Sequence, residues 1–137
     1  YQVQGTHSYA TQGTYATSVT IADTYQSVAV TGTITISDTP LVVTSQTLTA
    51  LLPKIVIGIV ATFTDDITLS ASNFTATINW GDGSTSGGLI VGNPLQAGSF
   101  FVLGAHQYKK RGSSTTATTI TNLLEGNVVT TLGKAIV

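Results

Sequence analysis

Phe74-Thr-Ala-Thr-Ile-Asn-Trp-Gly-Asp-Gly83 is the stretch that decides the fold. Phe74, Ala76, Ile78 and Trp80 alternate with Thr75, Thr77 and Asn79, and a period of two sends every large apolar group to one face of a strand. Gly81-Asp82-Gly83 supplies the positive-φ residues and the Asp-Gly pair of a tight reversal, so the strand turns back as a hairpin. Its apolar face needs a cover.

Working outward, the N-terminal residues read as three strands, Tyr1 to Tyr9, Thr14 to Ala22 and Ser27 to Ser37, with turn chemistry at Gln12-Gly13 and Asp23-Thr-Tyr-Gln26. Tyr15, Thr17, Val19 and Ile21 share one side of the second strand, and Val28, Val30, Ile34 and Ile36 share one side of the third. An internal repeat organises the rest. Gly5, His7, Tyr9, Gly13 and Ile21 recur 99 positions later as Gly104, His106, Tyr108, Gly112 and Ile120. Residues 1–38 therefore match 100–137 and form the C-terminal half of one unit, and residues 39–137 form a complete one. The complete unit carries strands at Leu41 to Leu48, Ile55 to Phe63, Phe74 to Trp80, Leu89 to Val91, Phe100 to Tyr108, Thr115 to Thr121 and Val128 to Val137. Seven short strands in about a hundred residues give the spacing of an all-β, immunoglobulin-like β-sandwich.

Composition agrees with an all-β chain and narrows the partners. Threonine fills roughly one position in five and favours pleated, half-buried surfaces. Only 8% of residues are charged, where soluble chains average about a quarter. With 42% hydrophobic residues and a net charge of −1 the chain should fold. Five Lys+Arg cannot build the basic footprint that nucleic acid needs. The most apolar run, Leu48 to Val60, is broken by Pro53, Lys54 and Gly58 and is too short to insert across a bilayer. Without cysteine there is no disulfide or thiolate metal site. The lack of methionine, and a start inside a patterned strand, lead us to expect a piece of a longer precursor.

Ala76-Thr-Ile-Asn-Trp-Gly-Asp-Gly83, followed by Gly104-Ala-His-Gln-Tyr108 and Gly112, resembles a PKD-type domain, marked by a W/F-G-D-G turn and a later H-x-Y-x-x-x-G-x-Y run. The first copy holds the whole run as His7-Ser-Tyr9 and Gly13-Thr-Tyr15. Asp38-Thr-Pro-Leu41 and Val60-Ala-Thr-Phe-Thr-Asp65 are similar to the openings of tandem PKD-like repeats in very large bacterial surface proteins. The resemblance implies an extracellular or cell-surface β-sandwich module, used as a spacer, adhesive repeat or accessory domain, with no catalysis and no cofactor of its own. The chain departs from that pattern in two places. Ser114 stands where Tyr15 would form a tyrosine corner, and Leu51-Leu52-Pro-Lys-Ile55-Val-Ile57 replaces a turn that is polar in the relatives. Leu51, Leu52, Ile55 and Ile57 are therefore a candidate assembly contact.

Few residues invite chemistry. Asp82 between two glycines reads as an Asx-turn residue. Asp65, Asp66 and Asp82 are the candidate Ca²⁺ ligands, without the D-x-D-x-D-G spacing and short of the six oxygens such a site needs. His7 and His106 recur in both copies, as a structural hydrogen bond would, with the ring expected to bond backbone. Trp80, Tyr9, Tyr15 and Tyr108 are the remaining structural aromatics. No Ser/His/Asp grouping and no P-loop stands out. Asn73-Phe-Thr75 is the one N-x-[ST] sequon. These readings converge on a structural module that pairs with copies of itself or with adjacent repeats of its parent chain. The alternative is a carbohydrate- or protein-binding accessory module, for which Tyr25 is the one aromatic placed outside the core.

Overall fold

A computed structural model describes residues 2–9 and 11–137. The chain divides into two compact units, Tyr1–Asp38 and Thr39–Val137.

In the first unit β1 (Gly13–Ala22) and β2 (Ser27–Ile36) form a two-stranded antiparallel sheet, paired from Gly13 with Ile36 to Ala22 with Ser27. Asp23 turns the chain by accepting the backbone N–H groups of Tyr25 and Gln26, both at 2.8 Å, and these two bonds hold its carboxyl below the usual range. The expected strand from Tyr1 to Tyr9 is absent across residues 2–9, and Tyr1 lies outside the described residues. The reason is pairing. A strand exists only through its ladder, and the segment at the matching place in the second unit is hydrogen-bonded on both sides.

The second unit is an all-β sandwich. It carries β3 (Val42–Ser45), β4 (Thr47–Thr49), β5 (Ile55–Thr64), a 3₁₀ turn at Ala71–Asn73, β6 (Phe74–Asn79), β7 (Thr85–Gly87), β8 (Leu89–Gly92), β9 (Ser99–Gln107), β10 (Ser113–Asn122) and β11 (Val128–Ile136). One sheet runs β4-β11-β10-β6-β7 and the other β3-β5-β9-β8. Period-two patterning fills the space between them. Phe74, Ala76, Ile78 and Trp80 face Val56, Val60, Phe63, Phe100 and Val102, with Ile120 and Ala135 beside them. The rings of Phe63, Phe74 and Phe100 lie with centroids 4.9–5.0 Å apart. Each such side chain stabilises the unit by about 1.5–3 kcal/mol through burial.

The sequence places the cover of β6 on the strands carrying His106 and the segment after Gly112. The second of these is corrected by the structure: β10 is the neighbour of β6 within one sheet, and β5 and β9 of the other sheet do the covering. The strand expected from Leu41 to Leu48 is two strands. Gln46 donates its N–H to Val60 O at 2.9 Å in one sheet and accepts Lys134 N–H at 3.4 Å from the other, so the chain changes sheets there. β7 is an additional short arm that completes the Gly81–Gly83 hairpin before Leu89 crosses to β9.

The repeat also gains a correction. It holds at 99 residues between β1 and β10 but becomes 101 between β2 and β11. Val19 pairs with Val30 where Thr118 pairs with Thr131, and Tyr15 with Ile34 where Ser114 pairs with Ala135. Two extra residues enter at the second hairpin turn, which a fixed offset cannot register.

Candidate functional site

The side chains with chemical potential gather where β6 ends. Trp80 N–H donates to Ser84 O at 3.0 Å and closes the turn, and Gly81 adopts a φ of +76° against β10. A Cβ at Gly81 would stand 2.1 Å from the Thr115 carbonyl oxygen, so only glycine passes there. Asp82 occupies the tip. Across the sandwich, β9 delivers His106, and Gly104 two residues earlier makes room for the indole. A Cβ at Gly104 would lie 2.9 Å from Trp80 Cη2 and 2.6 Å from Ile78 Cδ1.

The resulting cluster is joined by hydrogen bonds and ring contacts. Trp80 is 0% exposed and donates Nε1–H to Ser86 Oγ at 3.0 Å. Its ring stacks on His106 with centroids 5.0 Å apart and an interplanar angle of 15°. Tyr108 meets His106 edge-on at 4.6 Å and donates its hydroxyl to Trp80 O at 2.8 Å. Burial pushes the Tyr108 phenol up, and the Asp82 charge adds to that. His106 Nε2 lies 2.9 Å from Asp82 Oδ2 and 3.2 Å from Ser84 Oγ. Ser84 donates both its hydroxyl and its backbone N–H to Asp82 Oδ1. The Ser84 hydroxyl, then His106, hold the Asp82 carboxyl well below the usual range.

Sequence reasoning found no Ser/His/Asp grouping, yet the fold brings Ser84, His106 and Asp82 together. A nucleophilic triad needs one imidazole nitrogen on serine and the other on the carboxylate. Here both partners meet Nε2, and the Ser84 proton is directed at Asp82 rather than at a base. The arrangement is a clamp on the turn. The expectation that His106 bonds backbone is also corrected: it meets a carboxylate and a hydroxyl, and Tyr108 makes the backbone bond. Beside the clamp opens a cleft of about 530 Å³ lined by Asp82, His106, Tyr108 and the turn Lys109-Lys110-Arg111. That turn holds three of the five cationic residues of the chain.

The candidate Ca²⁺ ligands are not assembled. Asp65 lies beside Asn122, which pairs with Phe74 at the start of β6, whereas Asp82 lies past its end, roughly 20 Å away at about 3.3 Å per residue. Asp66 Oδ1 instead accepts the Thr68 N–H and hydroxyl, both at 2.8 Å, which keeps its carboxyl low. Asp65, 4% exposed, accepts Asp66 N–H at 2.8 Å and Asn122 Nδ2–H at 3.1 Å. Asn122 Nδ2 also reaches Glu125 at 3.3 Å, so one amide bridges the Asp65 and Glu125 carboxylates.

The sequon residue Asn73 is half-buried and accepts the Ser70 N–H and hydroxyl at 2.8 and 2.9 Å. Leu51, Leu52 and Ile57 are exposed, and Ile55 is half-buried behind a turn in which Lys54 takes a positive φ of 65°. Tyr25 is 95% exposed. In the first unit Tyr15 donates its hydroxyl to Thr11 O at 2.7 Å, a bond from strand back to preceding loop. His7 and Tyr9 repeat the edge-on geometry of His106 and Tyr108, at the same 4.6 Å and 82°. Among the described residues no helix is long and apolar enough to cross a membrane. Comparison with protein-family models, with curated proteins and with solved structures finds no match to the chain.

Proposed function

We propose that this chain is a non-catalytic structural module of an extracellular bacterial assembly, such as a filament, appendage, sheath or surface array, built from tandem PKD-like, immunoglobulin-like units. Neighbouring segments or subunits pair strands to hold it together. The observation that carries this reading is the contrast between the two units. The sandwich ends its sheets on β3, β4, β7 and β8, strands of three or four residues, whereas β1 and β2 run for ten and, among the described residues, have no further strand on either side. Their sequences, Gly13-Thr-Tyr-Ala-Thr-Ser-Val-Thr-Ile-Ala22 and Ser27-Val-Ala-Val-Thr-Gly-Thr-Ile-Thr-Ile36, hold no charge and no proline. Those are the devices by which edges are normally blunted. An undefended ten-residue edge is a template for another chain. The exposed Leu51, Leu52 and Ile57 add a second apolar contact surface, and the clamp geometry at Asp82 supports a structural role for its His106 partner.

Sedimentation velocity tests the proposal. Concentration-dependent association is expected, and it should weaken when Ile21→Asp places a charge on the open hairpin face. A chain that sediments as a monomer at every concentration overturns it. The second reading, a carbohydrate- or protein-binding accessory module, is favoured by exposed Tyr25 and by the cationic rim of the cleft at Lys109-Lys110-Arg111. A glycan array with no signal above background removes it for carbohydrate.

A further inference from the structure

We propose that Gly5, His7, Tyr9 and the inner face of β1–β2 form a docking site for a separate polypeptide segment patterned like residues 39–99. This segment would lay a strand ending in an aromatic residue and Gly-Asp-Gly against His7 and along β1. The inference rests on the strand-pairing reading above and names the partner that reading leaves open.

Each part of the site has a counterpart whose occupied state is visible in the second unit. Tyr15, Thr17, Val19 and Ile21 of β1 correspond to Ser114, Thr116, Thr118 and Ile120 of β10. Val28, Val30, Gly32 and Ile34 of β2 correspond to Val129, Thr131, Gly133 and Ala135 of β11. In the second unit this face belongs to the core, with Thr116, Thr118, Ile120 and Ala135 buried. In the first, the more apolar set of Val19, Ile21, Val28, Val30 and Ile34 is 42–60% exposed. Leaving such a face in water is unfavourable.

The aromatic end matches in the same way. Gly104 leaves space that Trp80 fills, and nothing lies within 4 Å of the corresponding Cβ position at Gly5. Val3, Gln4, Gly5 and Thr6 are exposed there and border an open surface hollow. His7 and Tyr9 already stand at the mutual geometry that His106 and Tyr108 adopt beneath an indole. An incoming Trp-Gly-Asp-Gly turn therefore meets a ring to stack on, a phenol set against that ring as Tyr108 is against His106, and an imidazole for its carboxylate.

Register follows from the repeat. β10 receives Asn79 to Phe74 opposite Ala117 to Asn122, which places the incoming strand opposite Ser18 to Ala22 of β1, with its first residue against Asp23 of the following turn. A second folded copy cannot donate its own Phe74–Asn79, because that strand is hydrogen-bonded to β10 on one edge and to β7 on the other. The occupant is a segment outside these 137 residues. Once seated, its β5-like and β8-like strands give residues 2–9 the ladder partners they lack.

The test is to join a copy of residues 39–99 directly before Tyr1 of the full chain and follow amide hydrogen exchange by mass spectrometry. Exchange of residues 2–9 and of β1 should slow by at least a hundredfold relative to the unextended chain. Ile21→Asp should reverse that protection while β9 and β10 of the second unit stay protected as an internal control. As a second arm, the same segment is supplied in trans by co-refolding, so that strain at the junction plays no part. Unchanged exchange of residues 2–9 in both arms, or protection that survives Ile21→Asp, overturns the proposal. Sedimentation of the unextended chain reports separately: association with a failed graft leaves pairing between subunits standing and removes only this occupant, and a monomer with a successful graft removes pairing between subunits and confines it to segments of the parent chain.

Discussion

Removing Trp80 measures how much of the second unit depends on the turn clamp. The side chain is fully buried, stacks on His106, donates to Ser86, and holds its ring against Gly104. Truncating a buried aromatic to alanine costs about 3–5 kcal/mol through lost transfer and the cavity left behind. Trp80→Ala also leaves Ser86 Oγ without its indole donor, which adds roughly 1 kcal/mol. The unit spans residues 39–137, and a domain of about that size has roughly 5–15 kcal/mol in total. Trp80→Ala should therefore lower the urea midpoint by about 2 M at an m-value near 2 kcal/mol/M, or leave the unit unfolded in water. Trp80 is the only tryptophan, so circular dichroism must report the transition in place of fluorescence. Trp80→Phe keeps a ring over His106 and should fall between the two. A loss below about 1 kcal/mol for Trp80→Ala would refute the reasoning, since surface substitutions lie in that range.

Two further predictions use the same cluster. Gly104→Ala puts a methyl against Ile78 and Trp80 and should cost about 1–3 kcal/mol by overpacking, whereas Gly5→Ala meets open space and should leave the unextended chain unchanged. Equal effects in urea unfolding would mean the two copies have the same surroundings. Asp82 has a folded pKa below its unfolded value, so its contribution is fully present above about pH 4 and is lost as pH falls through the depressed folded value. Thermal midpoints of the wild type and Asp82→Asn should accordingly converge on acidification from pH 5 to pH 2, and parallel profiles would contradict the clamp.

How much was legible depends on the range of the interaction. The alternation Phe74-Ala76-Ile78-Trp80 is a local signal, and a period-two stripe has one outcome when a second sheet faces it. The split of residues 41–48 at Gln46 was not legible, because it is set by hydrogen bonds to Val60 and Lys134, 14 and 88 positions away. Asp82, Ser84 and His106 were each visible, but their meeting depends on the pairing of β9 against β5 and the packing of the two sheets, which no motif spacing encodes. The clue that was available is Gly104. A glycine two positions before a histidine, following the apolar run Phe100-Phe-Val-Leu103, signals close approach by something large. Asp65 and Asp82 are kept apart by the length of β6, a distance that no acidic spacing in the sequence encodes.

Residues 2–9 sharpen that point, because pattern alone does not make a strand. The alternation that produces β9 in the second unit is present around Gly5, His7 and Tyr9, yet no ladder forms there, while β1 and β2, with each other as partners, pair over all ten residues. Val3, Gly5, His7 and Tyr9 match Val102, Gly104, His106 and Tyr108, while Gln2 and Gln4 stand where the second unit has Phe101 and Leu103. Beside that loss of apolar side chains, what differs is the availability of hydrogen-bonding edges on either side. The composition of the chain fits the same economy. A free-standing domain keeps itself apart from its neighbours with surface charge. A chain with 8% charged residues, none of them on β1 or β2, forgoes that protection where it would matter most. Such a surface is the one that the proposed donor segment would cover, in the register that the repeat gives.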